Sequence, residues 1–199
     1  MNKQVAGLVV IIVFLLSLPV YGGLPLDTVQ VNVNKVFEVL RDPKLKAASA
    51  KEQKIQKLTV IYNAMFDEVE LAKRTLAKNW NRLNESQRKE FVYLFHQILE
   101  KAYADRILSY SNEKVVFTKE LPLASNQVEV QTKIVTASKE VPIYYRMILV
   151  NGTWKVYDVV VENISLVMNY RTQFNDILAK NSPDQLLDIL RNKVKTQKD

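Results

Sequence analysis

An Asn151-Gly152 pair between two alternating segments constrains the fold of this chain more than any other feature of its sequence. Asn-Gly suits a two-residue turn in which both residues take positive φ, so the pair predicts a tight β-hairpin. The strands of this hairpin cover residues 141–150 and 153–161. Residues 126–136 alternate in the same way, and the three segments together predict an antiparallel sheet.

Apolar residues recur at three- and four-residue spacing on both sides of these strands, and this period predicts helices. Asn84 and Gln87 form a capping box at the start of the longest helix. The predicted helices cover residues 29–40, 51–65, 69–79, 84–110 and 164–179, with a last helix after Ser182-Pro183 and a short strand at 115–117. Helices, then a sheet, then helices predict an α+β fold, with one sheet and helices packed on one side of it.

The first 22 residues are typical of an export signal. Lys3 gives a positive start, residues 5–18 are largely apolar, and Pro19 ends the run before a stretch of small or compact residues. An uncleaved membrane anchor is the alternative, but the run is shorter than the ~20 apolar residues that a span needs. We therefore expect a signal peptide at 1–22, cleaved after residue 22 or 23, and a single mature domain at 23–199.

The mature part is basic. Lys3 is the one charged residue among the first 22, so the chain's 28 basic and 21 acidic residues leave 27 and 21, a net charge of +6. For an exported protein, an anionic membrane surface or an acidic protein is a more suitable partner than nucleic acid. An ordinary solvated surface explains the charge equally well.

The sequence offers little from which to build a catalytic or metal site. It has no cysteine, one histidine and four glycines, which excludes disulfides, thiolate sites, paired-histidine metal motifs and glycine-rich phosphate loops. The histidine, His96, lies in the longest predicted helix, where a packed or surface role is the common one. Asp158 and Glu162 share a predicted strand face and are the remaining acid–base candidates. We therefore expect a protein that is not an enzyme and that binds no cofactor.

Each strand of the hairpin carries an apolar face. Alternation places the following side chains on these faces: Val141, Ile143, Tyr145, Met147 and Leu149 on the first strand, and Tyr157, Val159 and Val161 on the second. They either close an ordinary core against the helices or line a hollow for an apolar ligand, since aromatic residues with a polar tip and methionine both suit a pocket. Periodicity is compatible with both interpretations.

Two blocks of residues extend over most of the mature chain. The first contains Trp80, Gln87, Arg88, Phe91, Phe95, Leu99, Tyr103 and Leu108. The second contains Trp154, Tyr157, Asp158, Glu162 and Ser165, followed by Tyr170, Arg171 and Phe174. With these residues the chain resembles the MlaC family, also called toluene-tolerance proteins. Ala77 and Asn163 depart from the family pattern, which often has glycine at both positions.

The resemblance implies a nuclear-transport-factor-2-like cone, in which helices wrap a strongly curved antiparallel sheet around a deep apolar cavity. It implies a monomeric periplasmic phospholipid carrier, which shuttles lipids between an outer-membrane lipoprotein–porin complex and an inner-membrane Mla-type ABC transporter complex. In this arrangement the strand side chains face those of the long helix. The residues then expected to line the cavity are Phe91, Phe95, Ile98, Tyr145, Met147, Tyr157, Val159, Val161, Val167 and Tyr170.

Two other functions remain open. An exported enzyme on the same fold would need a buried acid or base deep in the cavity, for which Asp158 is the only plausible residue. A structural or adaptor protein would fill the cavity with its own side chains.

Overall fold

The computed structural model describes residues 24–110 and 113–196 of the 199-residue chain. The helices in these residues are α1 (Pro25–Arg41), α2 (Lys51–Met65), α3 (Glu68–Leu76), α4 (Glu85–Leu108), α5 (Leu166–Leu178) and α6 (Pro183–Thr196). The strands are β1 (Lys114–Ala124), β2 (Gln127–Val135), β3 (Glu140–Val150), β4 (Thr153–Val161) and β5 (Ile164–Ser165). Each strand pairs with the next in antiparallel orientation, which confirms the α+β prediction.

The sheet is curled but not closed, and β1 and β5 are its edges. None of the helices in the described part of the chain is long and apolar enough to cross a membrane. The predicted signal peptide at 1–22 lies outside the described residues.

The turn between β3 and β4 is the one that the sequence predicts. Asn151 has a φ of 48° and Gly152 a φ of 77°, and Val150 pairs with Thr153 across the turn. Positive φ at both central residues is the requirement that Asn-Gly meets at low cost. The register of the hairpin is therefore set by its own turn.

Two elements differ from their predicted lengths. β1 extends well beyond 115–117, because two register shifts let the strand continue past Pro122, which a sheet edge tolerates. α3 ends at Leu76 rather than near residue 79, because Ala77 has a φ of 49° and a 3₁₀ turn, Ala77–Arg82, follows. Glycine adopts this backbone conformation with less strain than alanine.

Buried apolar side chains form two clusters. The sheet cluster joins α1 and the end of α2 to one face of the sheet and contains Val29, Val33, Met65, Val128, Val130, Met147 and Val156. The helical cluster joins α3, α4, α5 and α6, and its largest fully buried members are Leu76, Phe91, Phe95, Ile98, Leu186, Leu187 and Leu190. Phe66, between α2 and α3, packs against both clusters.

Arg146 on β3 joins three strands on the face opposite the sheet cluster. Its guanidinium lies 3.1 Å from Glu129 Oε2 on β2 and 3.2 Å from Asp158 Oδ2 on β4. Asp158 also accepts hydrogen bonds from the Ser165 hydroxyl (2.6 Å) and the Val167 amide (3.0 Å). Because Glu129 and Asp158 are buried, this pairing offsets the cost of removing their charges from water. It also attaches α5 to the outer face of β4, so helices cover both faces of the sheet rather than one.

The connection from β4 to α5 is tight because two consecutive residues take positive φ. The φ angles are 49° at Glu162 and 66° at Asn163. Asparagine accepts this conformation better than most residues. Ser165 then caps α5 by accepting a hydrogen bond from the Met168 amide at 3.0 Å.

Replacing Asp158 with alanine should lower the free energy of unfolding by about 3 kcal/mol, because three donors lose a buried acceptor at once. Glu162→Ala is the matched control. Its carboxylate is exposed, 3.4 Å from Lys139 Nζ, and its loss should cost less than about 1 kcal/mol. Urea unfolding followed by circular dichroism measures both values, and equal losses would contradict the role assigned to Asp158.

Candidate functional site

The face of the sheet that looks toward α1 is apolar across its central strands. Two rows of cross-strand partners run over it: Val130, Tyr145 and Val159, and then Val128, Met147 and Val156. α1 covers this surface with the buried side chains of Val29 and Val33. We call the surface formed by these two rows, together with Val161, the concave face.

Tyr157 does not belong to the concave face, because it is the extra residue of a β-bulge. It is skipped between two consecutive pairs of β3 and β4. A bulge inverts the alternation on one side of it, so Tyr157 lies with Asp158 on the face opposite Val159. There the Arg74 guanidinium lies 3.7 Å from the centre of its ring. The prediction that Tyr157 shares a face with Val159 and Val161 is therefore wrong.

Tyr145 lies in the less buried part of the concave face. Burial raises the pKa of its hydroxyl to about 12, and the nearby Tyr110 adds to the rise. Tyr145 nevertheless keeps some accessible surface, and so does Val159 beside it, whereas Met147 is fully buried. The concave face is therefore fully packed at Met147 and only partly covered at Tyr145 and Val159.

α2 lies between α1 and α4 and presents an apolar side that is only partly packed. This side consists of Ile55, Leu58, Ile61 and Tyr62, all of them partly buried. Polar pairs join α2 to α4: Lys51 Nζ lies 3.0 Å from Asp105 Oδ1, and the Thr59 hydroxyl lies 3.2 Å from Glu100 Oε1. Tyr62 packs on the rings of Phe66 and His96, whereas Ile55, Leu58 and Ile61 keep accessible surface.

The helical cluster holds half of the predicted cavity residues. Phe91, Phe95 and Ile98 of α4 are buried, as are Val167 and Tyr170 of α5. The centres of the Phe95 and Tyr170 rings are 4.8 Å apart in an edge-on arrangement that is typical of a packed core. Burial raises the pKa of the Tyr170 hydroxyl to about 12. The structure thus places these five residues in a core separate from the concave face.

Several residues of the concave face, and two residues of α1 that cover it, lie outside the predicted site. Val128 and Val130 follow the plain alternation of β2, which contains the signal for them. Val156 is hidden from sequence analysis because the bulge beside it inverts the alternation. Val29 and Val33 of α1 have no local signal that connects them to the sheet.

His96 lies where α2, α3 and α4 meet. Its Nδ1 is 2.6 Å from Glu68 Oε1, a contact that has the distance of an ion pair but not the alignment of a hydrogen bond. Its Nε2 is 3.8 Å from Glu100 Oε2, and its ring centre is 5.2 Å from that of Tyr62. The Glu68 carboxylate raises the pKa of His96, although burial opposes the rise. In residues 24–110 and 113–196, no three His, Asp or Glu side chains are placed to hold a metal ion.

Protonation of His96 should stabilise the fold, and this contribution should disappear as the pH rises. Because the folded pKa is raised, the contribution is fully present below the unfolded value of about 6.5 and is lost as the pH passes the folded pKa. The urea midpoint of the wild type should therefore fall as the pH rises from about 6.5 through the folded pKa, and that of His96→Gln should change less. The same pH dependence in both proteins would contradict this role.

Comparison with known proteins identifies the family of this chain. The family model for MlaC protein matches residues 30–192. The chain belongs to the MlaC family. It is 28% identical over 137 residues to the intermembrane phospholipid transport system binding protein MlaC of Haemophilus influenzae, a match that covers 65% of this chain and 64% of that protein, just under two thirds of its length. It is 24% identical over 180 residues to toluene tolerance protein ttg2D of Pseudomonas putida, covering 89% of this chain and 84% of that protein.

A solved structure has the same fold. It is a phospholipid-binding protein from Ralstonia solanacearum in complex with a phospholipid, with a TM-score of 0.77 and 20% identity, covering 87% of this chain and 98% of that chain. The MlaC resemblance carried by the two sequence blocks is therefore confirmed, together with the curved sheet wrapped by helices.

Proposed function

We propose that this MlaC-family protein is a periplasmic phospholipid carrier, exported by a cleavable signal peptide and acting as a monomer. In this role it is the soluble component of an Mla-type ABC transport system. It shuttles lipids between an outer-membrane lipoprotein–porin complex and an inner-membrane ABC transporter complex. The observation that carries the proposal is that Tyr145 and Val159 keep accessible surface on an otherwise buried apolar face, and we place the hollow for the lipid there.

A lipid in transit through water needs such a hollow. The two acyl tails of a phospholipid carry roughly 30 methylenes, and at ~0.8 kcal/mol each their exposure would cost about 24 kcal/mol. A carrier must therefore hide both tails. Because a bilayer and an apolar hollow are similar surroundings, the net free energy of transfer between them can lie close to zero, which reversible delivery requires.

The tails are proposed to lie along the concave face, in contact with Tyr145, Met147, Val159 and Val161. Phe66 packs against both clusters and separates this face from the helical cluster. The other predicted lining residues, Phe91, Phe95, Ile98, Val167 and Tyr170, belong to the helical cluster and are not proposed as contacts of the tails.

The position of Asp158 favours a carrier over an enzyme. Asp158 pairs with Arg146, so its carboxylate lies on the face of the sheet opposite the hollow. Three donors also occupy the carboxylate already. An acid or base in this place does not reach a ligand on the concave face. An adaptor that fills its own cavity is less favoured, because Tyr145 keeps accessible surface.

Protein purified from the periplasm without detergent should contain stoichiometric phospholipid. Val159→Trp should lower this content several-fold, because the indole would occupy the space beside Tyr145. Val116→Trp is the matched control, since Val116 is an exposed residue of the edge strand β1, and its lipid content should match the wild type. Organic extraction and mass spectrometry measure the lipid in each protein.

The variant tests the position of the hollow, and the wild type tests the carrier function. If Val159→Trp folds and carries as much lipid as the wild type, the position of the hollow is wrong. If the wild type contains no lipid and takes none from vesicles, the carrier function is wrong.

A further inference from the structure

A cleft of about 360 Å³ lies between the start of α2 and the end of α4. Its lining consists of Lys46, Ala47, Ala48, Lys51, Lys54, Asp105, Leu108 and Ser109. Leu45 is buried and anchors the chain just before the cleft, and Lys51 Nζ bridges the cleft to Asp105 Oδ1 at 3.0 Å. The cleft is thus formed by two elements that are tied to each other.

The cleft is positively charged. Residues 41–57 contain six basic and two acidic side chains, a net +4 of the chain's formal +7. Within the cleft, Asp105 neutralises one of three lysines. Among the residues that the structure describes, no carboxylate lies within ion-pair distance of Lys46 or Lys54. Two ammonium groups therefore remain available to an anion.

Two elements lead from the cleft toward the proposed hollow. On α2, Lys51 and Lys54 lie one turn before Ile55 and Leu58, on the same sides of the helix. At the end of α4, Leu108 lines the cleft, and Tyr110 lies close enough to Tyr145 to influence its ionisation. A charged surface and an apolar surface thus follow each other within about one helical turn. A phospholipid has the same order, since its phosphate is joined directly to the glycerol that carries its tails.

We propose that this cleft binds the phosphate group of the carried phospholipid, with Lys46 and Lys54 facing its negative charge. The inference rests on the proposed carrier function and specifies where the headgroup lies. Lysine ammonium groups are hydrated point charges that attract phosphate without demanding one geometry. Because the cleft is open to water, these contacts are screened and individually weak, which suits a ligand that must be released.

The release of a lipid that carries a fluorophore on one acyl chain tests this site. Delipidated protein is loaded from methyl-β-cyclodextrin, and an excess of the same cyclodextrin then accepts the released lipid, so no membrane surface is present. Two probes with identical chains are compared: phosphatidylglycerol, which has the phosphate, and diacylglycerol, which lacks it.

The double variant Lys46→Glu/Lys54→Glu should release phosphatidylglycerol about tenfold faster than the wild type at low salt, and diacylglycerol at the wild-type rate. At about 1 M salt, where the Debye length is ~3 Å, the difference should largely disappear. Lys78→Glu/Lys180→Glu is the matched control, because these lysines are exposed and lie outside the cleft. It should release both lipids at the wild-type rate.

Equal release of phosphatidylglycerol by the cleft variant and the wild type would overturn the phosphate site and leave the carrier function standing. Equal acceleration of both lipids would also overturn it, because the substitutions would then act through tail packing. Normal release together with poor loading from phosphatidylglycerol vesicles would assign the lysines to membrane docking instead. A wild-type protein that takes up neither lipid would reject the carrier function, and the phosphate site with it.

Discussion

The pairing of Arg146 with two buried carboxylates is the interaction on which the rest of this structure depends. Glu129 and Asp158 would each be costly to bury alone, and Arg146 between them holds β2, β3 and β4 in one register. Asp158 meets Arg146 only because β4 contains one extra residue, Tyr157, whose bulge bends the strand. Asp158 also accepts a hydrogen bond from an amide at the start of α5. The same charged group therefore sets the register of the sheet and the place where the helical cluster joins it.

This attachment leaves the molecule with two interiors of different character. In the helical cluster, aromatic rings meet edge-on and the side chains are buried. On the concave face, Met147 is fully buried, whereas Tyr145 and Val159 keep accessible surface, and the proposed hollow lies beside them. Unfilled apolar space forfeits dispersion contacts, so protein interiors normally close it. A chain that keeps such a space gains when an apolar ligand completes the packing, and it loses that gain when the ligand leaves.

Features that depend on neighbouring residues could be predicted from the sequence, whereas features that depend on contacts between distant residues could not. The Asn151-Gly152 turn and the Asn84 capping box each involve neighbours in the chain, and both occur where the sequence predicts them. The face of Tyr157 depends on one skipped pair between two strands, which alternation within a single strand does not reveal. The division of the predicted cavity residues between two clusters depends on contacts between distant elements, such as Phe95 with Tyr170. The family resemblance predicted the fold class but not this division.

The lysine-lined cleft also depends on a contact between distant elements. It suggests in addition how a carrier can release its lipid. The lysines between residues 44 and 57 are evident in the sequence, but a cleft exists only because α4 ends beside them. Contacts between exposed lysines and a phosphate are weakened by water and salt, and a hollow of the same polarity as a bilayer holds the tails no more strongly than the bilayer does. Neither end of the lipid is then bound tightly. If the protein is the proposed carrier, the acceptor rather than the protein itself would then set the direction of transfer.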